Sequence, residues 1–221
     1  RAIDRLPLDW AALQTAVACG EAPAEGAYLP ARFTLAGEVT GDDWPNFQSD
    51  GYGHWLWLLD RWLTSRGESA IPGWAQAAVQ TTVRYLSTAW RLPTFDAWEE
   101  HGDKVHPATL AGIYGGLRAA ERFGLETATV CEEIRATVVL HLTTDGALAK
   151  HLGSDAVDAS LLWAAVPFGM LAPQSDVMVR TVARIDAELT RDGGLVRYAH
   201  DTYYGGGRWI LLTGTDSTPD T

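Results

Sequence analysis

Tyr52-Gly53-His54-Trp55-Leu56-Trp57-Leu58-Leu59-Asp60-Arg61-Trp62-Leu63 decides the fold. Tyr52, Trp55, Leu56, Leu59, Trp62 and Leu63 fall at i, i+3, i+4, i+7, i+10 and i+11, which is one face of an α-helix. Gly67 follows just beyond and suits a C-terminal stop, because glycine takes the left-handed conformation at little cost.

The same period returns along the chain. Residues 72–91 carry Ala75, Ala78, Val79, Thr82, Tyr85, Leu86 and Ala89 on one face. Pro72 stands near the start, where a missing N–H costs nothing, and Leu92-Pro93 ends the element. A third helix is expected from Pro107 to Phe123, with Leu110, Ile113, Tyr114 and Leu117 inward and Gly124 as stop. A fourth runs from Glu126 to Leu142 on Val130, Ile134 and Val138. Leu161 to Met170 is apolar nearly all round and reads as a fifth, buried on every side. Pro173-Gln174-Ser175-Asp176 signals the start of a sixth, with Met178, Val182, Ile185 and Leu189 facing in.

The remaining segments read as connections. Leu8 to Val17 is a short amphipathic patch, and residues 21–43 are irregular with one short strand near Phe33-Thr34-Leu35. Asp192-Gly193-Gly194 is a turn. Trp209 to Thr213 reads as the first turn of another helix, before a polar tail from Gly214. Helices follow one another with short links and no strand alternates with them, which argues against a parallel sheet. The expectation is one all-α domain over residues 1–221, a toroid or solenoid of helical hairpins with its loops gathered at one end.

Composition narrows the class. Ten Trp and seven Tyr favour a site that stacks against flat ring faces, although most of these aromatics must be core. Seventeen basic against 28 acidic residues leave a net charge of −11, which argues against nucleic acid as a partner. No apolar run reaches membrane-spanning length. Cys19 and Cys131 are too isolated for a disulfide framework and read as free thiols. The chain opens on Arg1 without a charged-then-apolar leader, so it reads as processed or as a segment of something longer.

Four loop stretches concentrate the chemistry: Trp44 to Tyr52, Phe95 to Gly102, Asp158-Ala159-Ser160, and Arg197 to Trp209. In the second, Asp96-Ala97-Trp98-Glu99-Glu100 sets two adjacent carboxylates beside an indole. Like charges and a low-dielectric wall are the ingredients that hold a carboxylic acid protonated near neutral pH. The bland alternative is an acidic loop on an acidic protein. His101 and His106 lack a third metal ligand. Gly205-Gly206-Gly207 follows no strand and has no nearby Lys-Ser/Thr pair for a phosphate. Neither metal nor cofactor is expected.

Taken together and in order, Gln48-x-Asp50-Gly51, Asp96-x-Trp98-Glu99-Glu100 and Arg197-Tyr198-x-x-Asp201-Thr202-Tyr203-Tyr204-x-Gly206-x-x-Trp209 make the chain resemble glycoside hydrolase family 15, the glucoamylase, glucodextranase and isomaltose-hydrolase group. The likeness covers residues from about 30 to 213, the middle of the family's catalytic domain. It implies an (α/α)6 barrel with its active site at one mouth, here incomplete. It further implies an inverting exo-hydrolase that releases glucose from the non-reducing end of an α-linked gluco-oligosaccharide. By motif position Glu99 matches the general acid and Glu100 a carboxylate that binds the next sugar. Trp98 and Trp44 match aromatic walls, Asp50 and Asp96 substrate-contact or supporting carboxylates. Arg197 matches the guanidinium that grips sugar hydroxyls, with Asp201 and Tyr203 supporting its loop.

The chain departs from the family pattern in two places. An Arg-Asp motif belongs upstream of residue 1, and the general base, a Glu, belongs well downstream of Trp209. Twelve helices with loops need roughly 300 residues, and this chain offers half that number of helices. An unclosed barrel leaves apolar faces uncovered, so self-association is expected. The competing readings are a non-catalytic carbohydrate-binding helical module and another helical-toroid enzyme such as a terpene cyclase. The latter needs an Asp-rich metal motif, and Asp42-Asp43 has no third member at the right distance.

Overall fold

A computed structural model describes residues 8–41 and 43–210. Six α-helices organise them: α1 (Trp10–Cys19), α2 (Asp50–Ser65), α3 (Gln76–Ala89), α4 (Pro107–Glu121), α5 (Ala128–Val139) and α6 (Asp176–Leu189). A single two-stranded antiparallel ribbon, β1 (Thr190–Arg191) with β2 (Gly194–Leu195), is the only sheet among the described residues. The architecture is all-α, as expected.

α4 is the axis of the packing. Of its side chains only Arg118 and Glu121 escape full burial, because α2, α3, α5 and a 3₁₀ turn at Ala159–Ala164 all pack on it. Its closest neighbour is α2, and the reason is glycine. A Cβ on Gly53 would lie 2.2 Å from the Gly112 carbonyl oxygen, and one on Gly116 2.4 Å from the Gly53 oxygen. Backbone meets backbone only where neither side carries a side chain.

The predicted faces hold for most helices. Tyr52, Leu56, Leu59 and Leu63 are buried on α2, and Ala78, Val79, Thr82, Tyr85, Leu86 and Ala89 on α3. Gly67 takes φ +69° after α2, where the Glu68 N–H returns to the Leu63 carbonyl. Pro107 opens α4 at its first turn, and the Ser175 hydroxyl caps α6 by accepting from the Met178 N–H.

Three expectations need correction. Trp62 is 45% exposed and lies under Arg66 rather than in the core, because it sits at the edge of the α2 stripe. Leu161–Met170 is not a helix: the chain makes the 3₁₀ turn Ala159–Ala164 and leaves it before Pro167, which has no N–H to continue. Phe33 forms a lone bridge to Val39 in place of a strand. The turn expected at Asp192-Gly193-Gly194 is present, and with Asp192 and Gly193 both at positive φ it is the tip of a short hairpin. The helix expected over Trp209–Thr213 lies mostly outside the described residues.

Candidate active site

The acid loop is built by one buried carboxylate. Asp96 Oδ1 accepts from the backbone N–H of Trp98 at 2.9 Å and of Glu100 at 3.0 Å. The Asp96 N–H donates to the Glu100 carbonyl, and the Glu99 N–H to the Asp96 carbonyl, each at 3.0 Å. This closes a tight turn over residues 96–100. Glu99 and His101 stand in it at φ +64° and +52°, a conformation that costs a non-glycine residue energy and is common where geometry serves function. Upstream, the Gln48 side-chain amide donates to the Asp96 carbonyl, and Thr94 Oγ1 to the Phe47 carbonyl. The Trp44–Tyr52 and Phe95–Gly102 stretches are thus fastened together.

The turn sends its two glutamates different ways. Glu100 points inward: Oε1 accepts from Arg197 Nη2 at 3.1 Å and Oε2 from the Tyr198 hydroxyl at 2.5 Å. Glu99 sits at the tip, exposed, its carboxylate without hydrogen bond or ion pair among the described residues. The dry surroundings expected around Glu99 belong instead to Asp96. Burial holds the Asp96 carboxyl above the usual range, against the pull of its backbone hydrogen bonds, His106 and Lys150.

Arg197 is the centre of the opposite wall. Its side chain is 3% exposed, and Nε and Nη2 donate to the two oxygens of Asp201 at 2.7 and 2.6 Å. The fork-to-fork pair holds the Asp201 carboxyl below its ordinary range and the guanidinium above its own. Nη1 has no partner among the described residues. The rings of Trp98, Tyr203 and Trp209 lie 5.4, 4.8 and 5.8 Å from its guanidinium carbon. Trp98 and Trp209 themselves are 5.8 Å apart. Among the predicted residues, the structure brings together Asp96, Trp98, Glu100, Arg197, Asp201 and Tyr203.

Trp44 lies apart from that network, and Asp50 makes no hydrogen bond to it although its carboxyl feels the charge of Asp96. Asp50 opens α2, buried, and helps line a cleft of about 490 Å³ with Gln48, His54, Trp55, Ala97 and Trp163. Burial pushes its carboxyl up, with His54 opposing. Burial lowers His54, whose ring stacks on Phe168 at 4.9 Å. Ala97 ties the cleft to the acid loop, yet neither Glu100 nor Arg197 lines it. Trp44 is 47% exposed, with Arg32 over its ring at 5.4 Å, and it shares no ring contact with Trp98 among the described residues.

Three residues that sequence reasoning left without a role complete the site. Both oxygens of Asp158 accept from the Trp98 indole N–H at 3.0 Å, and Oδ1 also takes the Ser160 N–H and hydroxyl. Lys150, 8% exposed, donates to Asp158 Oδ2 at 2.9 Å and lies 3.2 Å from the Tyr198 ring centre. Tyr198 stands beside Arg197, and burial with Glu100 nearby raises its hydroxyl, so it remains a donor. The Asp158-x-Ser160 spacing was a legible cue, an Asx-type cap. Nothing marked Lys150 but its place in an apolar run. Among the described residues no cluster could hold a metal ion.

Comparison with known proteins gives the chain its relatives. A model of the family described as Glycosyl hydrolases family 15 matches residues 19–215. Over 209 residues, 91% of its length, the chain is 41% identical to the isomaltose glucohydrolase of Kribbella flavida and covers 54% of that protein. It is 29% identical over 165 residues to a trehalase of Mycobacterium tuberculosis, of which it covers 24%. Among solved structures, a wild-type glycosidase superposes with a TM-score of 0.85 at 38% identity, over 97% of this chain and 60% of that one. A variant glycosidase in complex with glucose matches equally well. The chain thus spans about half the length of the isomaltose glucohydrolase it matches.

Proposed function

Because this chain belongs to the glycosyl hydrolases of family 15, we propose that its site is the acid-bearing part of an inverting, exo-acting α-glucoside hydrolase that releases glucose from non-reducing ends. The observation that carries this reading is the grip on Glu100. Arg197 and Tyr198 take one oxygen each, which holds Glu100 beside the Trp98 and Trp209 rings and supports its reading as the partner of Glu99. From the tip of the turn Glu99 donates its proton to the glycosidic oxygen. Glu100 and Arg197 Nη1 bind hydroxyls of the leaving sugar. A rigid guanidinium suits vicinal hydroxyls, and each hydroxyl that loses water needs such a partner.

Inversion requires a second carboxylate that activates water from the opposite face, roughly 6.5–9.5 Å away. The family pattern puts that base, a Glu, well downstream of Trp209, so the loops up to Trp209 supply the acid side of the reaction. Identity of 41% to an isomaltose glucohydrolase, against 29% to a trehalase, favours isomaltose as substrate. The exposed apolar side chain of Leu58 and the partly covered one of Trp62 support self-association of the isolated chain.

The test uses the full-length protein and isomaltose. Glu99→Gln lowers hydrolysis by about 10²–10⁴-fold, the usual yield of a general acid, and the wild type releases β-glucose first by NMR. Retained activity, or α-glucose as first product, overturns the reading. The exposure of Glu99 favours one rival, a module that binds sugar without cutting it; calorimetric binding with no glucose release from the full-length protein would establish that instead.

A further inference from the structure

Four loop stretches carry the candidate chemistry, and one buried cation meets three of them. Lys150 belongs to none of them. Its ammonium is 2.9 Å from Asp158 Oδ2, 3.9 Å from Asp96 Oδ2 and 3.2 Å from the centre of the Tyr198 ring. Asp96 shapes the acid turn, Asp158 holds the indole N–H of Trp98, and Tyr198 donates to Glu100. The backbone fixes Lys150 in turn, its N–H donating to the Ala156 carbonyl at 2.7 Å. The Asp158 and Tyr198 segments also meet as an antiparallel bridge, with the Ala159 N–H on the Arg197 carbonyl at 2.8 Å.

We infer that Lys150 is a positioning residue, whose ammonium sets the register of the acid turn against the Arg197 loop and thereby aims Glu99 at the glycosidic oxygen. This rests on the hydrolase reading above. A buried lysine is costly to keep and its stem is flexible, so its place is explained by what its head holds. Here the head meets two carboxylates and a ring face, and each lies on a different loop. Without it, Asp158 is a buried carboxylate lacking its cation, and the Trp98 indole loses a fixed acceptor.

The test separates aiming from mere folding by varying the leaving group. Isomaltose departs as a sugar alkoxide and needs the acid's proton, whereas a nitrophenyl α-glucoside departs as a stable phenolate and depends on it far less. In the full-length protein, Lys150→Met is expected to lose kcat on isomaltose at least 30-fold more than on the aryl glucoside, with KM within about threefold. Equal losses on both substrates would mean a purely structural lysine and would overturn the inference. Glu99→Gln run beside it is the control: the same leaving-group split there, without one in Lys150→Met, sinks this inference alone. No split in Glu99→Gln sinks the assignment of Glu99 as the acid, on which this inference rests. If Lys150→Met does not fold, the double variant K150M/D158N, which leaves no unpaired charge at that pair, takes its place under the same criteria.

Discussion

Glu100 and Arg197 meet at 3.1 Å although 97 residues separate them. Arg197 in turn holds Asp201 through two nitrogens, and both side chains of that pair are nearly sealed from solvent. Removing one partner of a buried pair strands the other, at about 3–5 kcal/mol. Arg197→Ala is therefore expected to lower unfolding free energy by about 3 kcal/mol in urea titration. Arg197→Lys recovers only part of it, because a point charge cannot reproduce the fork. A loss below about 1 kcal/mol for Arg197→Ala would show the pair to be solvated.

The same pair sets a pH response. The Arg197 guanidinium holds the Asp201 carboxyl below its ordinary range. Its contribution is complete above the unfolded carboxylate value near pH 4 and is lost as pH falls through its own lower value. Asp201→Asn removes that dependence. The wild-type and variant Tm curves should converge in the acid limb below about pH 4 and separate above it.

Asp50 works in the opposite sense. Burial raises its carboxyl, so the folded state holds the proton more tightly than the unfolded chain. The stability this proton confers is present below the unfolded value and lost as pH rises through the folded one. Asp50→Asn is expected to gain about 1 kcal/mol at pH 7, a size common when a functional side chain is relieved, and the gain shrinks as pH falls toward 4. A gain that holds constant with pH would assign it to packing.

Much of the fold was legible because burial on a helix repeats. On α2 the stripe Tyr52, Leu56, Leu59, Leu63 steps by four, three and four, and a period-3.6 reading finds it. Trp62 failed that reading because an indole at the edge of a stripe looks apolar whether or not the neighbour reaches it. Leu161–Met170 failed for a different reason: an apolar run carries no period, and Pro167 limits it. The motifs located Arg197, Asp201, Asp96 and Glu100, since their spacing is local. They could not locate Lys150, whose partners at Asp96, Asp158 and Tyr198 come together only through tertiary packing. Nor could they tell that Asp96, rather than Glu99, is the buried carboxyl, since neighbours in a turn share sequence context but not direction.

The α2–α4 contact offers an internal comparison on one helix. A methyl at Gly53 would drive into the Gly112 carbonyl at 2.2 Å, whereas one at Gly51 meets nothing within 4 Å. Gly53→Ala must separate the two helices that centre the core. It should cost at least about 2–3 kcal/mol or prevent folding. Gly51→Ala should gain about 0.5–1 kcal/mol from helix propensity alone. Equal effects at the two positions would mean that α2 slides past α4 without loss.

Leu58 and Trp62, one turn apart on α2, are 57% and 45% exposed. Two large apolar side chains on one helix face, Trp62 only partly covered by Arg66, offer apolar area to a second copy. The 221-residue chain is expected to sediment as a dimer or larger species at micromolar concentration. Leu58→Glu with Trp62→Glu should shift it to monomer, since two like charges four residues apart oppose burial of that face. The substitutions point to solvent, so the helical circular dichroism should be retained. A monodisperse wild-type monomer across a hundredfold concentration range would show that this face stays open without a partner.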